Sequence, residues 1–435
     1  MKKLAILLLA LCLLTVTTAL ADGVSVVANP ESNTGYTVNF EFEDSQATQV
    51  RVAGDFHFFT ANDPLFRGIG YIRTPDHAAR ETLVFPEDWK KDSNLYHFGT
   101  PDYVGEMSKS EETGKWTFAI DLPCGPYQYS YQVSYDNGET FTAIPDPANI
   151  PLSNTLGASK VTSKFYVPYD AEKQSAEVDY SWAEPVSDES AKGQVVHVTY
   201  TGLDVKDHEA FVYLPAGYDA SREEPYKILY LVPGGNGTFA DWVHDYNAAD
   251  IVDRYVMDGV VEPFVFVCTA NNEFGRINTN DPYNLAELAL NIEHCMVPYM
   301  EANFNVSSDP ANRAIAGLSY GARVSSLMWI NNPELFKYYG VFSASAAWMW
   351  QDTNSKMDLL KESVLYLGGA FADHLTLGPT YQTAMENTVY GLRDLLDEKG
   401  FTYNGGNGIF FMQGGHDRYT FQSEFNDFVK TTLWK

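Results

Sequence analysis

The hydrophobic pattern changes near the middle of the chain, and this change limits the possible folds more than any other feature of the sequence. Between residues 22 and 170, apolar and polar residues alternate over short runs such as 36–42 and 127–133. Alternation at every second residue is typical of half-buried strands, and the Asp-Asn-Gly sequence at 136–138 favours a tight hairpin turn. The first domain, 22–170, is therefore predicted to be an all-β sandwich, interrupted by an insertion at about 60–110.

A different rhythm follows a polar stretch at 171–193, which we interpret as an interdomain linker. Strand candidates alternate with helical patterns at 284–304, 322–332 and 381–399; they lie at 195–200, 209–214, 228–232, 264–267, 314–316, 364–367 and 409–412. Near-continuous apolar strands between helices indicate a mostly parallel sheet covered by helices on both faces. The second domain, 194–435, is therefore predicted to be an α/β domain into which two antiparallel strands lead.

The first 21 residues have the order of a secretory signal peptide. Two lysines are followed by an apolar run at 4–14 and then by Ala19-Leu20-Ala21, where cleavage is expected. No later segment reaches the ~20 apolar residues that a membrane-spanning helix needs. The sequence therefore predicts export, to the periplasm or to the medium, without a membrane span.

Composition excludes some classes of function. The formal net charge of −28 would repel a phosphate backbone, so nucleic acid is not expected as a partner. The nine histidines form no spacing with cysteine that is typical of a metal site, and no His-Glu-x-x-His sequence occurs. We therefore predict neither a metal nor a cofactor.

One short motif indicates nucleophilic chemistry. Gly317-Leu318-Ser319-Tyr320-Gly321 follows an apolar strand candidate and precedes a helical pattern. A serine in this context occupies a sharp strand-to-helix turn, and small flanking residues are needed because the backbone folds back on itself. The motif predicts that Ser319 is a nucleophile.

A serine nucleophile needs an imidazole as its base and a carboxylate that orients the imidazole. His416 lies in a glycine-rich loop after the last strand candidate, and it is the predicted base. Asp373, a few residues beyond the strand candidate at 364–367, is the predicted acid, and it preserves the chain order serine, acid, histidine. Asp417 and Asp394 remain as alternative acids.

Hydrolysis through a serine also requires backbone donors for the oxyanion. The amide of Tyr320, directly after the nucleophile, is predicted to be one of them. The second is expected from the Pro-Gly-Gly-Asn-Gly turn at 233–237, with Gly235 or Asn236 as the donor. A phosphate-binding loop is a poor alternative because no Gly-Lys-Ser/Thr sequence follows.

At this point the second domain resembles a known family, the esterases of carbohydrate esterase family one. That group includes feruloyl and acetyl xylan esterases, with enterochelin esterases and S-formylglutathione hydrolases (esterase D-like proteins) as relatives. The resemblance rests on ordered blocks at 230–235, 313–321, 333–336, 342–344 and 414–417, together with Asp373. It implies an α/β-hydrolase fold with Ser319, Asp373 and His416 as the catalytic triad.

The chain departs from this family at three positions. Pro233 stands where histidine is common, Ala322 where a second glycine is common, and Arg418 where a tryptophan often follows the histidine. The three triad residues are present, so the departures concern the walls of the pocket and the acyl group that it accepts.

The first domain is similar to early-set immunoglobulin-like domains, including carbohydrate-binding module family forty-eight. The similarity is carried by segments 50–56, 116–118, 125–129 and 146–149. Alternating tyrosines at strand spacing favour a core position over a sugar contact.

Together with the predicted signal peptide, the two resemblances imply a secreted serine ester hydrolase that acts on plant cell-wall polysaccharide. Feruloylated arabinoxylan is the first expected substrate, and acetylated xylan is the second. A siderophore esterase acting on a small aryl ester is an alternative enzyme. An inactive carbohydrate-binding protein is the alternative outside enzymes.

Overall fold

The computed structural model describes residues 23–60, 83–93, 95–99, 103–272, 285–351, 355–371, 373–377 and 387–435. The predicted signal peptide and much of the predicted insertion lie outside the described residues. No helix in the described part of the chain is long and apolar enough to cross a membrane.

The first domain consists of antiparallel sheets. One sheet has the order β1-β2-β9-β8, a second has the order β11-β10-β3-β7 with β12 also paired to β10, and a third, β5-β4-β6, lies largely in the predicted insertion. The strand bounds are β1 Val24–Ala28, β2 Tyr36–Phe42, β3 Gln49–Gly54, β4 His57–Thr60, β5 Leu83–Val84, β6 Leu95–Phe98, β7 Tyr103–Glu106, β8 Ser108–Lys109, β9 Trp116–Asp121, β10 Gly125–Ser134, β11 Thr142–Ile144 and β12 Ser163–Val167. A short helix, α1, spans Leu152–Thr155.

The first two sheets enclose one apolar core. Phe40 and Ile120 enter it from one sheet, and Val52 and Tyr129 enter it from the other. The tyrosines that alternate along β10, Tyr127, Tyr129 and Tyr131, are all fully buried. These rings therefore stabilise the domain and offer no exposed surface to a ligand.

The segment predicted to be a linker joins the two domains, but it is partly folded and packs against them. Three short 3-10 helices lie within 171–193, and Val178, Tyr180 and Ala183 are buried. Trp182 packs against the cores of both domains. The segment is mostly polar, so its composition does not indicate that these few apolar residues are buried. Their burial fixes the path of the chain between the domains.

In the second domain, the described strands form a sheet of order β13-β14-β16-β15-β17-β18-β19-β20. β14 is antiparallel to both of its neighbours, and the pairs from β16 to β20 are parallel. The strand bounds are β13 Gln194–Thr201, β14 Asp207–Leu214, β15 Ile228–Val232, β16 Val265–Cys268, β17 Arg313–Leu318, β18 Tyr338–Phe342, β19 Val364–Ala370 and β20 Phe410–Met412. This is the strand order of the α/β-hydrolase fold.

Helices cover both faces of this sheet, and two apolar cores lie between them and the strands. The helix bounds are α2 Asp241–His244, α3 Ala248–Met257, α4 Leu285–Asn291, α5 Val297–Asn303, α6 Tyr320–Asn331, α7 Met357–Glu362, α8 His374–Leu377, α9 Val389–Lys399 and α10 Arg418–Thr431. A π-helical turn, Ile292–Met296, joins α4 to α5.

The sequence pattern does not predict β18. This strand is short, and its sequence Tyr-Tyr-Gly-Val-Phe gives little contrast with its surroundings. It is nevertheless paired on both sides, with β17 and with β19, and its last four residues are buried. Pairing with neighbours distant in sequence therefore determines this strand, and local preference does not.

Candidate active site

Ser319 lies on the sharp turn between β17 and α6. Its φ angle is 53°, in the left-handed region that non-glycine residues rarely adopt, and its amide donates to the carbonyl of Phe342 on β18 (2.9 Å). A Cβ atom on Gly317 would overlap the backbone of Gly321, and one on Gly321 would overlap the carbonyl of Val232. The glycines on either side of the serine are therefore required by the close approach of three backbone segments, as the motif predicts.

The structure brings Ser319, His416 and Asp373 together at the carboxyl ends of parallel strands. The distance between Nε2 of His416 and Oγ of Ser319 is 2.9 Å, and that between Nδ1 of His416 and Oδ2 of Asp373 is 3.1 Å. Ser319 follows β17, Asp373 follows β19, and His416 follows β20. The imidazole can thus accept the serine proton on one nitrogen while the carboxylate holds the other nitrogen protonated.

Asp373 is completely buried and well supplied with donors. The amide of Leu375 donates to Oδ1 (2.8 Å), and the hydroxyl of Thr376 donates to Oδ2 (3.0 Å). Burial alone raises the pKa of Asp373, but the charge of His416 and hydrogen bonds from His416, Ser343 and Leu375 outweigh it, so the pKa is lowered. Asp373 is therefore held as the anion that stabilises a protonated imidazole.

A second buried acid lies behind Asp373. Oε1 of Glu424 and Oγ of Ser343 are 3.0 Å apart, and both side chains are completely buried. Burial, followed by the negative charge of Asp373, raises the pKa of Glu424 well above its usual value. The Ser343 hydroxyl donates to Oε1 of Glu424, and it is also among the groups that lower the pKa of Asp373. No pattern in the sequence marks Glu424 for this place.

The two alternative acids have other roles. Asp417 begins α10 as its N-cap: Oδ1 accepts from the amide of Tyr419 (2.9 Å), and Oδ2 accepts from the amide of Gly415 (3.1 Å). Burial raises the pKa of Asp417 to about 6. Asp394 lies on α9 with more than half of its side chain exposed, and it pairs with Arg393. Asp373 is thus the acid that contacts His416.

The glycine-rich turn predicted to supply an oxyanion donor lies beside the nucleophile. A Cβ atom on Gly234 would be 3.8 Å from Cβ of Ser319. The amide of Gly237 closes the turn by donating to the carbonyl of Gly234 (2.9 Å), and Asn236 has a positive φ of 61°. Gly235 and Asn236 are both exposed. Which of them donates remains a prediction, as does the role of the Tyr320 amide at the start of α6.

A cluster of aromatic side chains begins two residues before the predicted acid in the chain. Phe371, two residues before Asp373, is 40% exposed and stacks on Phe411 at a centroid distance of 4.8 Å. The ring of Tyr390 packs edge-on against that of Phe411, at a centroid distance of 5.6 Å. These rings provide an exposed apolar surface close to the strand ends that carry the triad.

Comparison with known proteins agrees with this geometry. Residues 205–368 match the family model described as "Putative esterase". The curated protein named "Endo-1,4-beta-xylanase/feruloyl esterase" from Xylanibacter ruminicola is 28% identical over 247 residues, which are 55% of this chain and 31% of that protein. The chain thus spans about a third of the length of that relative.

Solved structures are similar at lower identity. A carbohydrate esterase family one ferulic acid esterase from Anaeromyces mucronatus has a TM-score of 0.46 at 18% identity, covering 60% of this chain and 98% of the other. The enterobactin esterase of Shigella flexneri has a TM-score of 0.47 at 14% identity, covering 96% of this chain and 95% of the other. The esterase family match and the arrangement of Ser319, His416 and Asp373 are together those of a carboxylic ester hydrolase.

Proposed function

We propose that this chain is an exported feruloyl esterase that removes aryl acyl groups from arabinoxylan, with Ser319 as the nucleophile. One observation carries the proposal: a single imidazole lies 2.9 Å from the Ser319 hydroxyl and 3.1 Å from a buried, anionic Asp373. This arrangement suits acyl transfer, because it lets the histidine move a proton from serine to a leaving alcohol.

The reaction proceeds in two halves. Oγ of Ser319 attacks the ester carbonyl while Nε2 of His416 takes its proton, and the amide of Tyr320 and a donor from the 233–237 turn stabilise the oxyanion. His416 then gives the proton to the sugar oxygen, which leaves with the electrons of the ester bond. In the second half, His416 removes a proton from water, the resulting hydroxide attacks the acyl-enzyme, and Ser319 regains its proton as the carboxylic acid departs.

Two features support an aryl acyl group. The curated relative from Xylanibacter ruminicola carries feruloyl esterase in its name. The stacked rings of Phe371 and Phe411 offer a flat apolar surface near Asp373, on which an aromatic acid could pack. An acetyl group would gain nothing from such a surface.

The polysaccharide part of the proposal rests on the predicted signal peptide and on the first domain. Export would place the enzyme where plant polymers are found. The tyrosines of β10 are buried, so a sugar contact on this domain must use other residues. Binding of xylan by the first domain is therefore a separate prediction from the ester chemistry.

The test is release of ferulate, measured by chromatography, from methyl ferulate and from feruloylated arabinoxylan. We expect release from both, with preference for the polymer, and loss of release in Ser319→Ala. Ser221→Ala, at an exposed serine remote from the elbow in sequence, is the matched control and should retain full activity.

Other results would redirect the proposal. Ser319-dependent cleavage of p-nitrophenyl acetate without ferulate release would move the substrate to acetylated xylan or to a siderophore ester. Failure of a fluorophosphonate probe to label Ser319 in the folded protein would favour the inactive carbohydrate-binding protein.

A further inference from the structure

The loop that carries His416 ends at the boundary between the two domains. Helix α10 begins at Arg418, two residues after His416, and Asp417 is its N-cap. The side chains of Arg418 and Tyr419 are only 6% and 1% exposed. Both side chains are buried against the first domain. That domain therefore contacts residues that closely follow the predicted catalytic base in the chain.

These contacts are polar and specific. Arg418 forms an ion pair with Asp55, which lies in the first domain between β3 and β4. Nη2 of Arg418 donates to the carbonyl of Pro126 (3.0 Å), and the hydroxyl of Tyr419 donates to the same carbonyl (2.9 Å). The Tyr419 ring also packs on His97, at a centroid distance of 4.5 Å.

Asp55 is itself held firmly by its own domain. It is 1% exposed, and its Oδ1 accepts a hydrogen bond from the amide of Gln128 on β10 (2.9 Å). The side chain of Gln128 in turn donates to the carbonyl of His244 (3.2 Å) and to Asp245 (3.1 Å) on the second domain. Oδ1 of Asp55 is thus hydrogen-bonded within the first domain, while Oδ2 faces Arg418.

The ion pair between Arg418 and Asp55 matters because both charged side chains are buried. A buried guanidinium is costly unless an anion compensates it, and removing one partner of a buried pair leaves an uncompensated charge. Among the described residues, Nε and Nη1 of Arg418 have no hydrogen-bond acceptor. Within the described part of the chain, the carboxylate of Asp55 is the acidic group that forms an ion pair with Arg418.

The connection from Arg418 to His416 is short, because Asp417 alone lies between them in the chain. The carboxylate of Asp417 accepts hydrogen bonds from Gly415 on one side of His416 and from Tyr419 on the other. Residues 415–419 are thus joined as a single hydrogen-bonded unit at the start of α10. A rotation of the first turn of α10 would therefore shift the imidazole of His416 relative to Ser319.

We propose that Asp55 of the first domain is a positioning residue for catalysis: by pairing with Arg418 it holds the loop that places His416 against Ser319. The first domain is then a structural part of the active site, whether or not it binds polymer. This inference rests on the proposed function, in which His416 is the base for Ser319.

The experiment measures kcat and KM for p-nitrophenyl acetate, a small soluble ester whose hydrolysis requires no polymer contact. The variants are Asp55→Asn, Arg418→Met and the double variant, each with its unfolding temperature. We expect each single variant to lower kcat about tenfold or more, with KM within twofold, because small displacements of catalytic groups are costly.

The double variant separates positioning from stability. Removing both charges eliminates the uncompensated buried ion, so its unfolding temperature should recover from that of the single variants. Its kcat should stay low, because methionine at 418 and asparagine at 55 restore neither the ion pair nor the hydrogen bond to the Pro126 carbonyl. Recovery of kcat together with the unfolding temperature would overturn the proposal, and so would a folded Asp55→Asn protein with kcat within twofold of the unchanged protein.

Lys164→Met is the matched control. Lys164 of the first domain also crosses the boundary, donating to Asn247 (2.8 Å), but in the described structure it forms no hydrogen bond or ion pair with a residue of α10. This variant should lower the unfolding temperature and leave kcat within twofold; a tenfold fall would show that any loss of domain contact slows the reaction and would overturn the specific role of Asp55. Ser319→Ala is measured in parallel, since full activity there contradicts the proposed function instead.

Discussion

Ser319 and His416 are hydrogen-bonded to each other, yet the structure holds them in place by different means. The turn at Ser319 is fixed within one domain, by a left-handed backbone and two glycines packed against neighbouring strands. The loop at His416 is fixed partly from outside, because the next turn of chain is buried against Asp55 and Pro126 of the first domain. The serine side is therefore built locally, whereas the histidine side depends on how the domains pack.

The largest expected effect within this comparison is on the histidine side. Asp373→Asn should lower kcat by about 10⁴-fold, because an amide cannot stabilise the protonated imidazole and favours the wrong tautomer. Asp394→Asn, at an exposed acid that also follows Ser319 in the chain, is the control and should stay within twofold. Steady-state kinetics on methyl ferulate decides; a loss below tenfold in Asp373→Asn would contradict the assignment of the acid.

The prediction for the serine side concerns the backbone of the turn that carries Ser319. In Gly321→Ala the new Cβ would overlap the carbonyl of Val232, which is main chain and cannot rotate away. We expect a loss of about 1–3 kcal/mol in the free energy of unfolding, together with reduced activity, because the turn at Ser319 must shift. Chemical denaturation measures the first effect and ester hydrolysis the second.

Gly259→Ala is the control for this prediction. Unlike Gly321, Gly259 has a positive φ, of 68°, and a Cβ atom there meets nothing within 4 Å. It tests the cost of backbone strain without overlap, which we expect to be about 1 kcal/mol with unchanged activity. Equal effects at the two glycines would show that the elbow is not specially packed.

A smaller effect is expected behind the acid. Ser343→Ala removes a hydrogen bond that lowers the pKa of Asp373, and kcat should fall about three- to tenfold, with KM little changed. Ser345→Ala, two residues away and bonded to the carbonyl of Thr388 (2.7 Å), is the matched control. An unchanged kcat in Ser343→Ala would mean that the donors from Leu375 and Thr376 suffice.

The smallest effect concerns stability and pH. Because the pKa of Glu424 is raised by burial above its ordinary value of 4.5, folding favours the protonated form of this side chain. Its contribution to stability is fully present below about pH 4.5 and is lost as the pH rises through the raised value. Glu424→Gln should remove this loss, so its unfolding temperature should gain on that of the unchanged protein as the pH increases from 5 to 9.

Glu398→Gln, at an exposed position on α9, is the control for the pH series. It should follow the unchanged protein at every pH. A constant difference between Glu424→Gln and the unchanged protein would show that Glu424 contributes through packing and not through its proton.

The same contrast explains how far the sequence could be interpreted. The elbow was predictable because a strand, a serine between glycines and a helix follow one another within a short segment. The acid was not decided by sequence, because Asp373, Asp394 and Asp417 all follow the serine, and only their positions in space separate them. Burial of the 171–193 segment and the pairing of β18 depend on distant partners, so composition and periodicity gave no signal for them.

Arg418 illustrates the limit most clearly. In the sequence it is only a departure from the tryptophan that is common in the resembled family. In the structure it has a partner, Asp55, at the opposite end of the chain, in a segment noted only for its resemblance to an immunoglobulin-like strand. No local rule connects the two residues, since their contact arises from the packing of one domain on the other.

The most direct test of the central claim is to trap the acyl-enzyme. The protein is mixed with p-nitrophenyl ferulate, quenched in acid within the first turnover and analysed by peptide mass spectrometry. We predict one added feruloyl group, on the peptide that contains Ser319, and none in Ser319→Ala. Acylation at another residue, or ferulate release that persists in Ser319→Ala, would contradict the account.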